Sequence, residues 1–282
     1  GASLTVARFL LGATGSSTAG YFGGGYDGTN PRSTMDKVTY SSDTTAAVPG
    51  AALSGVRYSL AATGNSTAGY FGGGFDYLNS RSTMDKVTYS TDTTAAVPGA
   101  ALSVARDGLA ATGNSTAGYF GGGQPGPRST MDKVTYSSDT TAAVPGAGLS
   151  VARHTLAATG NSTHGYFGGG GAYSLPLFST MDKVTYSTDT TAAVPGAALS
   201  AARYGVAATG NSTAGYFGGG SGPRSTMDKV TYASDTTAAV PGAPLSAARV
   251  NLAASSARAN ALPLIGPAPS SPAVRFTDNT PS

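Results

Sequence analysis

The hexapeptide Gly-Tyr-Phe-Gly-Gly-Gly occurs five times in this chain and divides most of it into near-identical repeats. The tyrosines of the five copies are Tyr21, Tyr70, Tyr119, Tyr166 and Tyr216, which lie 49, 49, 47 and 50 residues apart. A period close to fifty residues is typical of proteins in which each repeat is one supersecondary unit that buries its apolar surface only against its neighbours. The repeat therefore predicts an array of equal modules.

Each repeat contains four candidate strands separated by turn sequences. In the third copy these strands are Leu109–Gly113, Ala117–Gly123, Met131–Tyr136 and Ala142–Ser150. The small side chains of the first strand suit a crowded central axis. The proline in the fourth strand suits a sheet edge, because proline cannot donate a hydrogen bond to a ladder. We therefore predict an all-β fold, a five-bladed β-propeller whose blades are four-stranded and antiparallel.

The unit resembles the kelch repeat of galactose-oxidase-type and kelch propellers over roughly residues 4–250. The resemblance rests on the arginine after the outer strand (Arg106 in the third copy), the glycine run after an aromatic pair, and the Val-x-Tyr of the third strand. The tryptophan that usually follows the third kelch strand is replaced by Ala-Ala-Val. The YFGGG…STMDKVTY…LSxAR arrays also resemble those of virion proteins in marine tailed bacteriophages, which implies a structural role in a particle.

Five full repeats fit between Arg8 and Arg249, and a further Leu-Ser-x-Ala-Arg motif then begins a unit that is not completed. We expect the outer strand of the last repeat to close the ring. The alternative is that the unfinished unit pairs with another chain through its open edge. We assign residues 1–255 to the propeller and residues 256–282 to an extended, proline-rich C-terminal tail. Such a tail cannot form its own core, and it is either disordered or, as we favour, a strap on a neighbouring subunit.

Two loops of each repeat differ between copies in length and chemistry, whereas the other two barely vary. The variable loops follow the glycine run and the Leu-Ser-x-Ala-Arg motif, and in an up-and-down blade both emerge on the same face. A rigid scaffold with divergent loops on one face is typical of binding proteins. Simple tolerance of insertions is the alternative, but it predicts variation on both faces. We therefore predict a binding face on this side of the disc.

The residues assigned to this face fall into two groups. Its apolar anchors are Tyr26, Phe75, Tyr77, Tyr173, Leu175 and Leu177, since aromatic side chains dominate binding energies at interfaces. Its other members are Asp27, Arg32, Tyr58, Arg81, Asp107, Gln124, Arg128, His154, Phe178, Tyr204 and Arg224.

The charges follow the same division of the sequence. Arginine ends four of the variable loops, and an aspartate lies in each opposite turn, where all five copies share Asp-Thr-Thr. Within a formal net charge of +3 we therefore predict one basic face and one acidic face. The basic face would attract acidic glycans or an acidic protein neighbour. The arginine of each Leu-Ser-x-Ala-Arg motif is interpreted instead as a structural hydrogen-bond donor between blades.

Signals for catalysis, metals and cofactors are weak. The five aspartates of the Met-Asp-Lys segments are spread around the ring and are expected to pair with nearby Lys or Arg side chains. His154 and His164 have no equivalents in other repeats and are expected on opposite faces, so they cannot form an acid/base pair. No His, Asp or Glu spacing suits a metal, and the absence of Cys excludes the Cys-linked tyrosine of galactose oxidase. We predict a protein that is not an enzyme and needs no cofactor.

The remaining composition limits the partners. No run of eighteen apolar residues is present, so we predict no membrane insertion, and the mild net charge gives no support to nucleic-acid binding. We expect a structural or adhesion module of a phage virion, such as a knob, fibre or decoration protein. Its expected partners are other virion proteins, or copies of itself through the tail, and a host-surface glycan. A lectin propeller, a general protein-interaction propeller and a secreted location are the alternatives.

Overall fold

The computed structural model describes residues 3–172, 176–222 and 224–255, and it shows an all-β propeller of five four-stranded antiparallel blades. The predicted fold class is confirmed. In each blade the strands follow chain order across the sheet. The strands are β1–β4 at Gly12–Gly15, Ala19–Gly23, Met35–Thr39 and Thr44–Ala47; β5–β8 at Ala61–Gly64, Ala68–Gly72, Met84–Thr88 and Thr93–Ala96; β9–β12 at Ala110–Gly113, Ala117–Gly121, Met131–Thr135 and Thr140–Ala143; β13–β16 at Ala157–Gly160, His164–Gly168, Met181–Thr185 and Thr190–Ala193; and β17–β20 at Ala207–Gly210, Ala214–Gly218, Met227–Thr231 and Thr236–Ala239.

The first strand of each blade lies at the axis, where neighbouring blades come closest. The first strands of successive blades contact one another, and only the Ala, Thr and Gly of these strands fit there. The glycine before the repeated tyrosine serves the same close approach. A Cβ on Gly165 would lie 2.5 Å from Thr112 Cγ2 and 2.8 Å from the Tyr186 hydroxyl oxygen. The glycines therefore allow the blades to pack closely.

The hydrophobic core lies between blades rather than inside any one of them. One cluster joins Tyr70 and Leu102 with Phe120 and Val134 of the third blade, and Phe120 and Val134 are fully buried. Burying a side chain of this size stabilises the fold by about 1.5–3 kcal/mol. Two neighbouring blades together form each part of the core.

The fourth strand needs one correction. The sequence predicts a strand over Ala142–Ser150 that includes the proline, but β12 ends at Ala143 and Pro145–Ala147 forms a 3-10 turn. Proline favours the first position of a helical turn because its φ is already fixed there and its missing N–H is not needed. Three other copies repeat this turn, at Pro49–Ala51, Pro98–Ala100 and Pro195–Ala197.

The axis is closed by a ring of six backbone hydrogen bonds, one more than the number of complete blades. In each bond the N–H of one member donates to the carbonyl of the preceding member, at 2.6–3.3 Å. The members are Leu10, Ser59, Gly108, Thr155, Gly205 and Asn251. Asn251 belongs to the unfinished sixth unit, while β20 pairs with β19 at the outside of its own blade. The axis therefore closes through the sixth unit and not through the outer strand of the last repeat, which the sequence favoured.

Candidate binding face

The two kinds of variable loop lie side by side on one face, which we call the variable rim. It consists of the loop between the second and third strands of each blade and the segment that runs from the Leu-Ser-x-Ala-Arg motif to the first strand. In the first blade the Phe9 amide donates to the Tyr26 carbonyl at 3.0 Å, and the Tyr26 amide returns the bond at 2.9 Å. Tyr58 with Phe75, and Asp107 with Gln124, form the same bridge. The prediction that both loops emerge together is confirmed.

The large apolar side chains that are exposed in the described part of the chain all belong to the variable rim. Tyr77 and Leu78 lie in a loop between second and third strands and are 47% and 80% exposed. The others stand in or directly after the Leu-Ser-x-Ala-Arg motifs: Val6, Phe9, Val56, Val104 and Tyr204. The turns of the opposite face, which we call the constant rim, mainly expose Ser and Thr instead. Exposed apolar surface gathered on one face marks an interaction site.

Five aromatic rings of the first two blades form one continuous surface, the aromatic cluster. Tyr26 lies at its centre, with ring centroids 5.6 Å from Phe9, 5.3 Å from Tyr58 and 5.9 Å from Tyr77. Phe75 extends the cluster with a centroid 5.7 Å from that of Tyr58. The Tyr77 hydroxyl donates to that of Tyr26 at 3.1 Å. The structure thus brings four predicted residues together, and it adds Phe9, whose place next to Tyr26 depends on the bridge between two loops.

The loops that carry the cluster are held rigid by their own aspartates. Asp27 Oδ1 accepts hydrogen bonds from the amides of Thr29 and Asn30 at 2.8 and 2.7 Å, while Arg32 pairs with the second oxygen. These backbone bonds, assisted by Arg32, lower the pKa of Asp27 to about 2. Asp76 and Arg81 repeat the arrangement in the second blade. Pre-organised loops lose little conformational entropy when a ligand binds.

Beside the aromatic cluster lies a polar group around Asp107 of the third blade. The Asp107 carboxylate accepts from Ser80 Oγ at 2.7 Å and from Gln124 Nε2 at 2.8 Å. His154 follows in the fourth blade, where its Nδ1 lies 2.8 Å from Thr155 Oγ1. Burial lowers the pKa of His154, and the Asp107 charge only partly opposes this. At neutral pH the rim therefore offers a carboxylate, an amide and a neutral imidazole next to its aromatic half.

The other predicted site residues are spread along the rim. The carbonyls of Arg128, Phe178 and Arg224 each accept from the amide of the next Leu-Ser-x-Ala-Arg arginine, which fixes the end of each loop. Leu177 is half-buried against Gly171, and Tyr204 is 39% exposed in the fifth blade, away from the aromatic cluster. Tyr173 and Leu175 lie outside the described residues, as does the predicted tail 256–282.

The predicted basic and acidic faces need correction, because most of the charges concerned are paired. Arg32 and Arg81 are bound by aspartates of their own loops. The motif arginines are not on the surface: Arg153 is buried and binds Asp182 at 2.9 Å and the Phe167 carbonyl at 3.0 Å. The five pairs of this kind, here called the scaffold pairs, are Arg8–Asp36, Arg57–Asp85, Arg106–Asp132, Arg153–Asp182 and Arg203–Asp228. In each pair the aspartate lies in the third strand of a blade and the arginine in the segment that leads into that blade. The Arg153 amide also donates to the Arg128 carbonyl of the preceding blade, so these arginines are structural and connect neighbouring blades.

The constant rim holds a second charged group that the sequence analysis did not find. Asp189 in a turn of the fourth blade accepts from the Tyr119 hydroxyl and from Lys133 Nζ, at 2.8 Å, both in the third blade. Burial acts to raise the pKa of Asp189, but the hydrogen bonds from Lys133 and Tyr119 outweigh it and the pKa is lowered. The same contact occurs at each of the four interfaces between complete blades. It locks neighbouring blades together at the face that does not vary.

In the described residues no group of three or more His, Cys, Asp or Glu side chains is arranged to hold a metal ion. A search of the same residues finds no helix long and apolar enough to cross a membrane. No protein-family model matches this sequence, and no curated protein is significantly similar to it.

Proposed function

We propose that this chain is a non-enzymatic adhesion module that binds its ligand through the aromatic cluster and the neighbouring polar group of the variable rim. The observation that carries this proposal is the restriction of exposed large apolar side chains to that rim in the described residues. A face with this composition, on loops held by internal hydrogen bonds, has the two properties that recognition needs: apolar contact area and a fixed shape.

The chemistry of the site favours a carbohydrate of the host surface as the ligand. Aromatic rings such as Tyr26 and Tyr77 offer flat apolar faces, and the Asp107 carboxylate and Gln124 amide lie beside them as hydrogen-bonding groups. Sites of this kind combine a mostly apolar lining with a few placed polar groups that fix the orientation of the ligand. Because the loops differ from blade to blade, the proposal is one composite site and not five equivalent sugar pockets.

The resemblance of the repeats to virion proteins of marine tailed phages supports a setting at the outside of a particle, as a knob, fibre or decoration protein. In that setting the constant rim and the blade edges would face neighbouring virion proteins, and the variable rim would face the host. An electron-microscopy map of the source particle tests the setting: density for a disc of this size on the particle surface is expected, and a chain found only free in solution would exclude it.

A matched pair of variants tests the site. Tyr77→Ser combined with Leu78→Ser removes exposed apolar surface at the aromatic cluster, whereas Tyr204→Ser removes an exposed tyrosine of the same rim outside the cluster. We expect the double variant to weaken binding to host cells by about 10- to 30-fold, the loss typical of a binding hot spot of about 2 kcal/mol. Equal losses in both variants, or none in either, would contradict the proposed site.

A protein partner is the second candidate, because aromatic clusters also form protein–protein contacts. The two candidates differ in the outcome of a glycan array followed by enzymatic removal of host-surface carbohydrate. A carbohydrate ligand predicts binding to defined glycans and loss of cell binding after the treatment. A protein partner predicts binding that survives the treatment and is lost after proteolysis of the cell surface.

A further inference from the structure

The sixth position of the ring is partly occupied by the chain itself. Residues 250–255 take the place of the first strand of a blade, since Asn251 completes the axial ring. Ser255 Oγ lies 3.2 Å from the hydroxyl oxygen of Tyr40, as Thr14 Oγ1 lies 3.3 Å from that of Tyr89. The segment therefore makes with the first blade the contact that each complete blade makes with the next.

The beginning of the described chain fills the other end of the same position. Arg8 binds Asp36 at 2.9 Å, and the Thr5 amide donates to the same carboxylate at 3.3 Å, as Arg57 and the Ser54 amide bind Asp85. The described chain thus leads both into and out of the position that a sixth blade would take. We call the gap between the fifth and the first blade the open sector.

The fifth blade presents to the open sector the side chains that other blades use to bind their neighbour. Tyr216 and Met227 are half-buried, whereas their equivalents in the first four blades are at most 1% exposed. Together with Leu245 they line a cavity of about 220 Å³. Lys229 has no acidic partner in the described part of the chain, although the four equivalent lysines each bind an aspartate at 2.8 Å.

The first blade presents the complementary wall. Phe22 and Val38 are half-buried, whereas their equivalents in the other four blades are completely buried, and they line a second cavity, of about 810 Å³. Thr45 Oγ1 is buried without a hydrogen-bond partner in the described residues. Its four equivalents donate to a carbonyl of the preceding blade at 2.6–2.7 Å. Asp43 is exposed. The equivalent aspartates of the other blades accept hydrogen bonds from a Lys and a Tyr side chain of the preceding blade.

The two walls define what would fit between them. Toward the fifth blade the occupant must present an apolar residue, an aromatic ring and an aspartate, as Val134, Tyr136 and Asp139 do toward the second blade. Toward the first blade it must present a cation for Asp43. A free solvated gap would instead leave apolar surface and a buried hydroxyl without partners, which costs free energy.

Residues 256–282 carry this set of side chains in the required order. Val274, Phe276, Asp278 and Thr280 follow the order of the Val-x-Tyr, Asp and Thr of the third strand and its turn, as in Val230, Tyr232, Asp235 and Thr236. The spacing from Val to Thr is the same, and the aspartate comes one position earlier. Side chains alternate between the two faces of a strand, so in a strand formed by this segment Arg275 would lie on the opposite face from Val274 and Phe276. The segment follows Ser255 directly, and its 27 residues suffice for two or three short strands.

We propose that residues 256–282 dock in the open sector of the same chain as a shortened sixth blade. Val274 and Phe276 cover the wall of the fifth blade, and Asp278 pairs with Lys229. Arg275 faces the first blade and pairs with Asp43. A proline-rich segment without a core of its own gains one here, because both walls are already formed. The tail is then the part that seals the propeller, and not a strap on a neighbouring subunit.

Cross-linking tests this proposal in the full chain, which is naturally free of cysteine. The variant Lys229→Cys/Asp278→Cys is treated with a short bis-maleimide, and the products are separated by mass and mapped by peptide analysis. The positive control is Lys183→Cys/Asp235→Cys, which replaces an ion pair of 2.8 Å. The matched negative control is Lys183→Cys/Asp278→Cys. We expect an intramolecular link in the test and positive variants, in similar yield, and none in the negative control.

Two results would overturn the proposal. A link that joins two chains would show that the open sector is filled by a second copy, and no link beside a working positive control would show that the tail lies elsewhere. Hydrogen exchange of the unmodified protein gives an independent measurement that does not depend on the variants folding. Docking predicts slowed exchange of the amides of residues 274–280, and exchange at the rate of an unstructured peptide would contradict it.

Discussion

Arg–Asp ion pairs occur in two regions of this propeller, with the same chemistry and opposite surroundings. Arg153–Asp182 and the other scaffold pairs are buried, with no side chain more than 3% exposed. The rim pairs Arg32–Asp27 and Arg81–Asp76 leave 43% and 47% of the arginine side chain exposed. Water screens the rim pairs, whereas a scaffold pair that loses one partner leaves a charge in an apolar interior.

This difference explains why one region is repeated five times and the other varies. A change at a scaffold pair would destabilise a blade and both of its interfaces, so each copy keeps the same residues. A change at a rim pair alters one loop and leaves the blade intact. The repeats therefore separate stability from the proposed recognition: buried ion pairs stabilise the blades, and the proposed ligand-binding residues lie in loops that contribute little to folding.

The largest predicted effect comes from breaking a scaffold pair. Arg153→Met removes the cation and leaves the Asp182 carboxylate buried, so we expect the free energy of unfolding to fall by about 3–5 kcal/mol. Urea denaturation followed by circular dichroism measures this loss. Adding Asp182→Leu should restore part of it, because the uncompensated charge is then gone, although the Ser150 amide also loses its acceptor. A single variant as stable as the parent would show that the pair is dispensable.

A smaller effect is expected from adding one methyl group at the axis. Gly165→Ala places a Cβ against Thr112 of the third blade and Tyr186 of its own, fourth blade, and such overpacking typically costs about 1–3 kcal/mol. Gly55→Ala is the matched control, since a Cβ there meets nothing within 4 Å on the variable rim. The control should change stability by less than about 0.5 kcal/mol. Differential scanning calorimetry of both variants checks the contrast, and equal midpoints would refute it.

The regular part of this molecule could be predicted from the sequence because the same local signals return five times. The first three strands of each blade begin and end within two residues of their predicted positions, as Met131–Thr135 does. The Asp189 contact could not be predicted, because its partner Tyr119 is 70 residues away and the turn sequence accounts for an aspartate on local grounds alone. A contact between blades does not change the local sequence pattern of the turn.

The closure of the axial ring and the convergence of the aromatic side chains could not be predicted from the sequence for a related reason. Asn251 occupies the axial position taken by Leu10, Ser59, Gly108, Thr155 or Gly205 in the other units, and these residues share no side-chain chemistry. Their common property is a positive φ. The residue types at these positions do not reveal this backbone conformation. Phe9 likewise reaches the aromatic cluster through a backbone bridge, so its role follows from the fold and not from its type.

Acid titration tests how much the Asp189 contact of the constant rim contributes to stability. The pKa of Asp189 is lowered in the folded state, so its contribution is complete above the ordinary aspartate pKa of about 3.9 and is lost as the pH falls through the folded value. Asp189→Asn should therefore lower stability at neutral pH and flatten its decline below about pH 4. With Asp189 34% exposed, we expect less than about 1 kcal/mol. Urea midpoints measured across this pH range give both values, and parallel curves for variant and parent would contradict the assignment.

The smallest predicted effect is the most informative test of the comparison between the two regions. Arg81→Met makes the same substitution as Arg153→Met, but at a rim pair where water already solvates the guanidinium. We expect the free energy of unfolding to change by less than about 0.5 kcal/mol, because the backbone bonds from Leu78 and Asn79 still hold Asp76 and its loop. The two variants measured side by side in urea isolate burial as the only large difference. A loss at Arg81 as large as that at Arg153 would mean that the rim loops are part of the folding core, and that recognition and stability are not separated in this propeller.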